Sequence, residues 1–342
     1  MTHPPTQRRP RQWRRVLLAV GTLLLIAAAL LVWTITQPVL TSEPVFQRPR
    51  SARAEALRAD VLALVNDHFP RDHRHPENLA AAADFIAASL AQSGARVGRQ
   101  SFALEGLADG DYQNVIASLG PSEGPRVIVG AHYDAYGELP AADDNASGVA
   151  ILLETARLLG EAQTLPLRID LVAFVLEEPP HFRSANMGSR VHAASLQAEG
   201  VAVAGVVVLD TIGYFVDEPG TQQLPTALLR PFYPGHGHFL AIAGELDDIA
   251  LVRRVKRSLN AGMAMPAYSF TAPRSVPGVD FSDHQSYWQH GYRAVLLSDT
   301  AFYRNAAYHT AQDTPDRLNY TAMADVVHGL YQVILRLASG DD

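Results

Sequence analysis

The sequence predicts an α/β fold built on an open sheet, and three observations carry that expectation. From residue 126 onward, short apolar runs alternate with helix-period stretches, the pattern of strand and helix units. At 342 residues, 48% hydrophobic and 18% charged, the chain can bury one large core. Acidic and imidazole side chains recur where apolar runs end: His132 after residues 126–130, Glu177 and Glu178 after 167–176, and Asp210 after 205–209. In an open α/β sheet, residues distant in sequence converge outside the carboxyl ends of the parallel strands.

The chain begins with a basic flank, Arg8, Arg9, Arg11, Arg14 and Arg15, which no acidic residue offsets. An unbroken run of apolar and small residues follows over 16–33, extended by Thr34, Ile35 and Thr36. About 20 such residues cross a hydrocarbon core as a helix. The positive-inside rule keeps the basic flank cytoplasmic and places the rest of the chain outside, in the periplasm or extracellular space. A cleaved signal peptide has an apolar region of roughly 7–15 residues closed by a small-x-small site. This run is longer and ends in Val32-Trp33-Thr34, which favours an uncleaved signal anchor. The expected partition is a cytoplasmic N-terminus at 1–15, a transmembrane anchor at 16–36, a linker at 37–52 and a catalytic domain at 53–342. Pro38, Pro44 and Pro49 mark the linker as a tether.

Residues 54–68 place Leu57, Val61, Leu62 and Val65 on one helical stripe. Residues 77–92 repeat the pattern with Leu79, Ala83, Phe85, Ile86 and Leu90, and Gly94 stops the helix. Strands are expected at 99–103, 112–119, 126–130, 167–176, 205–209 and 293–297, and further helices at 149–159, 187–197, 249–261 and 323–338. No internal repeat or low-complexity segment interrupts them.

A net charge of −7, with no Lys/Arg cluster interleaved with aromatics in the globular part, leaves no electrostatic footprint for nucleic acid. The absence of cysteine excludes a disulfide scaffold and thiolate zinc sites. The sequence carries no signal of oligomeric state.

His132, Asp144, Glu178, Asp210 and His309 read together as two metal sites sharing a carboxylate. His132 and Asp134 alternate on an extended segment and point the same way, so Asp134 can orient the imidazole of a metal ligand. Taken alone, that fragment also fits a structural His–Asp pair. Asp143-Asp144-Asn145-Ala146-Ser147-Gly148 opens a helix, where an N-cap explains one Asp but not two adjacent carboxylates followed by small residues. Glu177 and Glu178 end a nearly continuous apolar strand, and adjacent carboxylates there repel unless a cation or shared proton offsets the cost. A division of labour follows, with one Glu binding metal and the other acting as general base. Oxygen and imidazole ligands without thiols suit zinc, with cobalt or manganese as substitutes.

Other residues carry less. His236 and His238, with no nearby acid, read as a flexible loop. Tyr233, Tyr287, Trp288 and Phe302 either shape an apolar specificity pocket or pack the core. Ser282-Asp283-His284 and Arg304-Asn305 either line that pocket or pack its loop.

The segments Gly130-Ala131-His132-Tyr133-Asp134, residues 143–148, Glu177-Glu178, Leu209-Asp210-Thr211-Ile212-Gly213, Ser282-Asp283-His284 and Tyr308-His309-Thr310 resemble, in order, the motif series of a two-zinc exopeptidase family. That family includes aminopeptidases Y and S, and the resemblance spans about residues 55–335. It implies a mixed, mostly parallel sheet of about eight strands between helices. His132 and Asp210 would bind one zinc, Glu178 and His309 the other, and Asp144 would bridge both. Glu177 would be the general base and Asp134 would orient His132. Peptide substrates would lose N-terminal residues to a metal-bridging water, with the free α-amine bound near the second metal.

Glutaminyl cyclases, single-zinc relatives on the same fold, are the alternative, but they interrupt the Asp-Asn-x-Ser-Gly segment that is intact here. Non-catalytic receptor-type ectodomains rank last, because they lose ligands and this chain retains them. Two departures matter. Residues 179–186 intervene between the Glu pair and Met187-Gly188-Ser189, which alters the pocket rim, and Asp143 stands where many relatives have Asn.

Overall fold

The computed structural model describes residues 9–41, 43–48, 50–104, 112–162 and 164–340. Among these, eight strands form one sheet: β1 (Arg96–Phe102), β2 (Tyr112–Leu119), β3 (Arg126–His132), β4 (Arg168–Phe174), β5 (Val203–Leu209), β6 (Leu240–Gly244), β7 (Ala267–Thr271) and β8 (Ala294–Ser298). Their order is β1-β2-β4-β3-β5-β8-β6-β7. The central pairs β4–β3, β3–β5 and β5–β8 are parallel, as is β6–β7, while β1–β2, β2–β4 and β8–β6 are antiparallel. The sheet is thus the mixed, mostly parallel one expected.

The central strands read as continuous apolar runs because both faces are covered. On one face Val127, Val129 and Ala131 of β3 join a core with residues of α2 (Ala54–Leu62), α3 (Pro76–Ala91), α4 (Gly148–Leu159), α6 (Ile249–Gly262) and α8 (Tyr320–Ser339). On the other, Ile128 packs with Ala193 and Leu196 of α5 (Gly188–Ala198) and with Tyr287 and Trp288 of α7 (His284–Gln289).

Elements the sequence left unread are short. β6 and β7 are five-residue strands with half-buried alternation, and α7 has six residues, too few for a helical period to stand out. The helix expected over 54–68 changes at Ala63 into a π-helical turn, Ala63–Asp67. β4 ends at Phe174 rather than running to residue 176, because Leu176 adopts a left-handed φ of 63° that redirects the chain.

The first helix, α1 (Arg9–Thr36), contains a 24-residue stretch, Trp13–Thr36, long and apolar enough to cross a membrane and left unburied. Its end is fastened to the globular unit. The Thr36 carbonyl accepts from Lys256 Nζ and from Ser269 Oγ, both at 2.7 Å, and Arg253 lies over the Trp33 ring at 5.6 Å. The stretch expected to be a tether is also docked. Phe46 N donates to Gln332 Oε1 at 2.7 Å, and Gln332 Nε2 returns a bond to the Phe46 carbonyl at 2.9 Å. Glu43 pairs with Arg257 and Arg336 at 3.2 and 3.3 Å. Proline content marked this segment as irregular, but a single amide side chain satisfies both backbone groups of Phe46.

Candidate metal centre

Three strand exits and two loops meet at the carboxyl end of β3, β4 and β5, and each is held by backbone hydrogen bonds to side chains. The segment 143–148 clamps the loop after β5. Asn145 Nδ2 donates to the Leu209 carbonyl at 2.8 Å, Ser147 Oγ accepts from Ile212 N at 3.1 Å, and Asp143 Oδ1 accepts from Gly213 N at 2.8 Å. Gly148 is required here, since a Cβ would lie 2.4 Å from Asn145 Oδ1. The spacing of that segment therefore encodes the position of Asp210 as well as of Asp144.

Two aspartates join the remaining loops in the same way. Asp134 accepts from the consecutive amides of Glu177 and Glu178, at 3.1 and 3.0 Å, tying the β4 exit to the β3 exit. Asp313 accepts from the amides of Asp143 and Asp144, at 2.9 and 3.1 Å, tying the His309 loop to the Asp144 loop. Leu176, Thr211 and His309 are left-handed, with φ of 63°, 46° and 56°, and each is a candidate site residue or adjoins one. Non-glycine residues in this region cost free energy that the surrounding structure must offset, and they concentrate at functional sites.

His132 Nε2 lies 3.2 Å from Asp144 Oδ1 and 3.5 Å from Asp210 Oδ1. His309 Nε2 lies 3.0 Å from Asp144 Oδ2 and 3.3 Å from Glu178 Oε1. Ligating atoms of His132, Asp144 and Asp210 all fall within 4.8 Å of one another, and so do those of Asp144, Glu178 and His309. Asp144 belongs to both groups, one oxygen facing each imidazole. Glu177 stands beside them, its Oε2 3.9 Å from His132 Nε2. His309 is sandwiched between the rings of Tyr136 and Tyr308, at centroid separations of 4.2 and 3.9 Å.

These residues fit a cation. His132 Nε2, Asp210 Oδ1, Glu178 Oε1 and His309 Nε2 are buried and make no hydrogen bond. In folded proteins the large majority of buried polar atoms are paired, and here four unpaired ones face one another across the two ligand groups. Among the described residues a third acid–imidazole group, Asp72, His75 and Glu138, also gathers. Its two carboxylates already share the Arg74 guanidinium, 2.9 Å from Asp72 and 3.5 Å from Glu138.

The electrostatics show how crowded the negative charge is. Burial and the charge of Asp144 push the Glu178 carboxyl up to about 8. Burial also raises Glu177 well above the usual carboxylate range, with Asp210, Glu178 and Asp283 adding to the effect against His132. Burial works against the His309 imidazolium, but the carboxylates of Asp144 and Glu178 facing it carry it up to about 10. In chelator-treated protein, protonation of Glu178 and His309 would have to offset this charge. Stability drawn from protonated Glu178 is complete below its ordinary 4.5 and lost as pH rises through about 8, and that drawn from protonated His309 is complete below 6.5 and lost through about 10. Chelator-treated protein is therefore expected to lose Tm steadily between about pH 5 and 9, while metal-loaded protein holds its Tm over that range. Parallel melting curves with and without chelator would check this, and an unchanged gap between them across that range would contradict it.

The structure brings together all seven residues singled out as catalytic or ligating. The geometry of Asp134 is richer than expected. Its Oδ1 is 3.5 Å from His132 Nδ1, its carbonyl is 3.2 Å from the same atom, and its carboxylate is chiefly occupied by the Glu177 and Glu178 amides. Asp313 escaped the sequence reading because a lone Asp four residues after His309 looks like a turn residue. Of the aromatics weighed for a specificity pocket, Tyr233 and Phe302 line a cavity, whereas Tyr287 and Trp288 pack the core beneath α5. Asn305 donates to Asp143 Oδ2 at 2.9 Å, and Asp283 is fully buried and close enough to His132 and Asp210 to feel their charge. His236 and His238 flank Gly237, which pairs with Val216 in a short bridge, and His236 meets Asp217 at 3.3 Å. This segment is thus ordered by pairing rather than free.

The sheet, with buried acid and imidazole groups gathered at its strand exits, defines a metallopeptidase fold. The chain belongs to Peptidase family M28, whose family model it matches over residues 114–334. It is 43% identical over 306 residues to the uncharacterized protein YfbL of Escherichia coli (strain K12), covering 87% of this chain and 92% of that one. It is 24% identical over 241 residues to leucine aminopeptidase 1 of Ajellomyces capsulatus (strain H88), covering 67% of this chain and 57% of that longer relative. Solved structures share the fold. LapA of Legionella pneumophila superposes with a TM-score of 0.66 at 19% identity over 84% of this chain and 74% of its own. A glutaminyl cyclase of Bacteroides thetaiotaomicron gives 0.62 at 19% identity over 84% and 99%.

Proposed function

We propose that this M28 peptidase is a membrane-anchored aminopeptidase carrying two zinc ions. The observation that carries this reading is the sharing of Asp144 between two buried ligand groups, with Glu177 beside them. In this reading His132, Asp144 and Asp210 hold one ion, and Asp144, Glu178 and His309 hold the other. Bound there, zinc would acidify a water and polarise the scissile carbonyl. Glu177 would take the proton of the attacking water and deliver it to the leaving amine. Asp134 and Asp313 hold the loops that carry Glu177, Glu178 and Asp144. The intact segment 144–148 and the two complete ligand groups favour this over single-zinc cyclisation.

A cavity of about 130 Å³ opens beside Asp210, walled by Leu229, Tyr233, Phe239, Tyr268, Phe270 and Phe302 among others. An apolar cavity of ~150 Å³ admits a benzene ring. The expected substrate therefore has a bulky apolar N-terminal residue. With peptides differing only there, kcat/KM should favour Leu or Phe over Gly by at least the roughly 10- to 200-fold that a single methylene contributes in an apolar pocket. Acetylation of the amine should abolish cleavage. Equal hydrolysis of free and acetylated peptides would refute the aminopeptidase reading, and cyclisation of N-terminal glutamine without hydrolysis would favour the cyclase.

Retention of α1 as an anchor is supported by its unburied apolar surface and by the bonds that fasten Thr36 to the catalytic unit. The basic flank before the span supports a location of that unit outside the cytoplasm. The domain partition at residues 16, 37 and 53 belongs to the same proposal.

A further inference from the structure

The end of the apolar helix and the wall of the substrate cavity meet at one residue of the sheet edge. Ser269, on β7, donates its hydroxyl to the carbonyl of Thr36, the last residue of α1, at 2.7 Å. The Ser269 carbonyl in turn accepts from the Tyr233 hydroxyl at 2.7 Å. Tyr233 lines the cavity, and the loop just before it adds Leu224, Pro225 and Leu229 to the same wall. While its Leu229 turns inward, this loop turns Leu228 and Phe232 out, 80% and 41% exposed, with the exposed Arg230 between them. On the helix side, Arg253 of α6 covers Trp33, an aromatic in the last turn of the span. Trp at the end of a span marks the level of the lipid headgroups. Two hydrogen bonds through Ser269 thus join the end of this loop to Thr36.

We propose that the loop 224–232 rests in the membrane interface, with Leu228 and Phe232 immersed at the boundary of headgroups and acyl chains and Arg230 among the lipid phosphates. The occupant of this apolar surface is the bilayer that holds α1, because Ser269 joins the end of the span to the residue that follows Phe232. The same loop forms one wall of the substrate cavity, so the cavity opens next to the bilayer surface. Apolar N-termini that already lie on the membrane would reach it along that surface. This inference rests on the reading of α1 as a retained anchor and extends it from attachment to orientation.

The chain has no cysteine, so single-cysteine variants can be labelled without background. Leu228→Cys, Phe232→Cys and, in the exposed β2–β3 turn, Glu123→Cys would each carry a polarity-sensitive nitrobenzoxadiazole probe. Full-length protein would be reconstituted into vesicles of phosphatidylcholine and phosphatidylglycerol, with or without nitroxide groups high on the acyl chains, after its intact mass is measured. Emission at 228 and 232 is expected to shift to the blue and to fall about twofold with nitroxide, as for side chains seated ~5–10 Å into the interface. Emission at 123 should not change. Full-length mass with all three probes unquenched would overturn the interfacial loop and leave the anchor intact. A mass lacking residues before about 36 would overturn both.

Discussion

Replacement of Glu177 by Gln is expected to lower kcat by about 10²- to 10⁴-fold, the contribution of a positioned general base, with zinc content unchanged. The amide keeps the shape of the side chain, and the backbone N–H of residue 177 still donates to Asp134. Glu177 stands outside both groups of mutually close ligand atoms, so its loss should leave them in place. Glu178→Gln offers the contrast. Glu178 Oε1 is buried without a hydrogen bond and faces His309 Nε2 at 3.3 Å, so its replacement should lower zinc content together with rate. Full turnover of Glu177→Gln at full zinc occupancy would remove Glu177 from the role of base.

Asp144→Asn is expected to have the largest effect on metal. Asp144 turns one oxygen to His132 at 3.2 Å and the other to His309 at 3.0 Å, and no other residue belongs to both ligand groups. An amide offers one oxygen and no charge, so it cannot serve both positions. Zinc content should fall from two per chain to one or fewer, with at least the rate loss of Glu177→Gln. Chelation should then lower Tm far less than in the native chain, because little binding energy remains to be withdrawn. Zinc measured by mass spectrometry after dialysis, beside melting curves, would read both. A variant that retained both ions would exclude a bridging Asp144.

The parts of this fold and site that could be read in the sequence are those with strong local patterns. β3, β4 and β5 are continuous apolar runs because helices cover both faces, and each ends in an acid or imidazole group that an ordinary turn does not need. Asp143 to Gly148 were legible as a unit because Asn145, Ser147 and Gly148 each have a steric or hydrogen-bonding task, and together they fix the loop that carries Asp210. The helix at the N-terminus was legible from length and apolarity alone. What escaped was non-local. Asp313 acts through two backbone amides about 170 residues away, and nothing in its own surroundings marks that. The docking of residues 43–48 depends on Gln332 and Arg336, on the last helix, which a proline-rich stretch cannot announce. β6 and β7 are too short and too evenly half-buried for periodicity to identify, yet they build the cavity wall and receive the end of α1. The grouping of acid and imidazole residues was thus easier to read than its surroundings.

Zinc stoichiometry tied to turnover is the most direct measurement. Metal-depleted full-length protein would be titrated with zinc while bound metal and hydrolysis of a leucine-leading peptide are followed together. Saturation at two zinc per chain, with activity lost on acetylating the peptide amine, is the predicted result. Saturation at one zinc per chain, or full hydrolysis by the metal-depleted protein, would contradict a paired-ion centre built on Asp144.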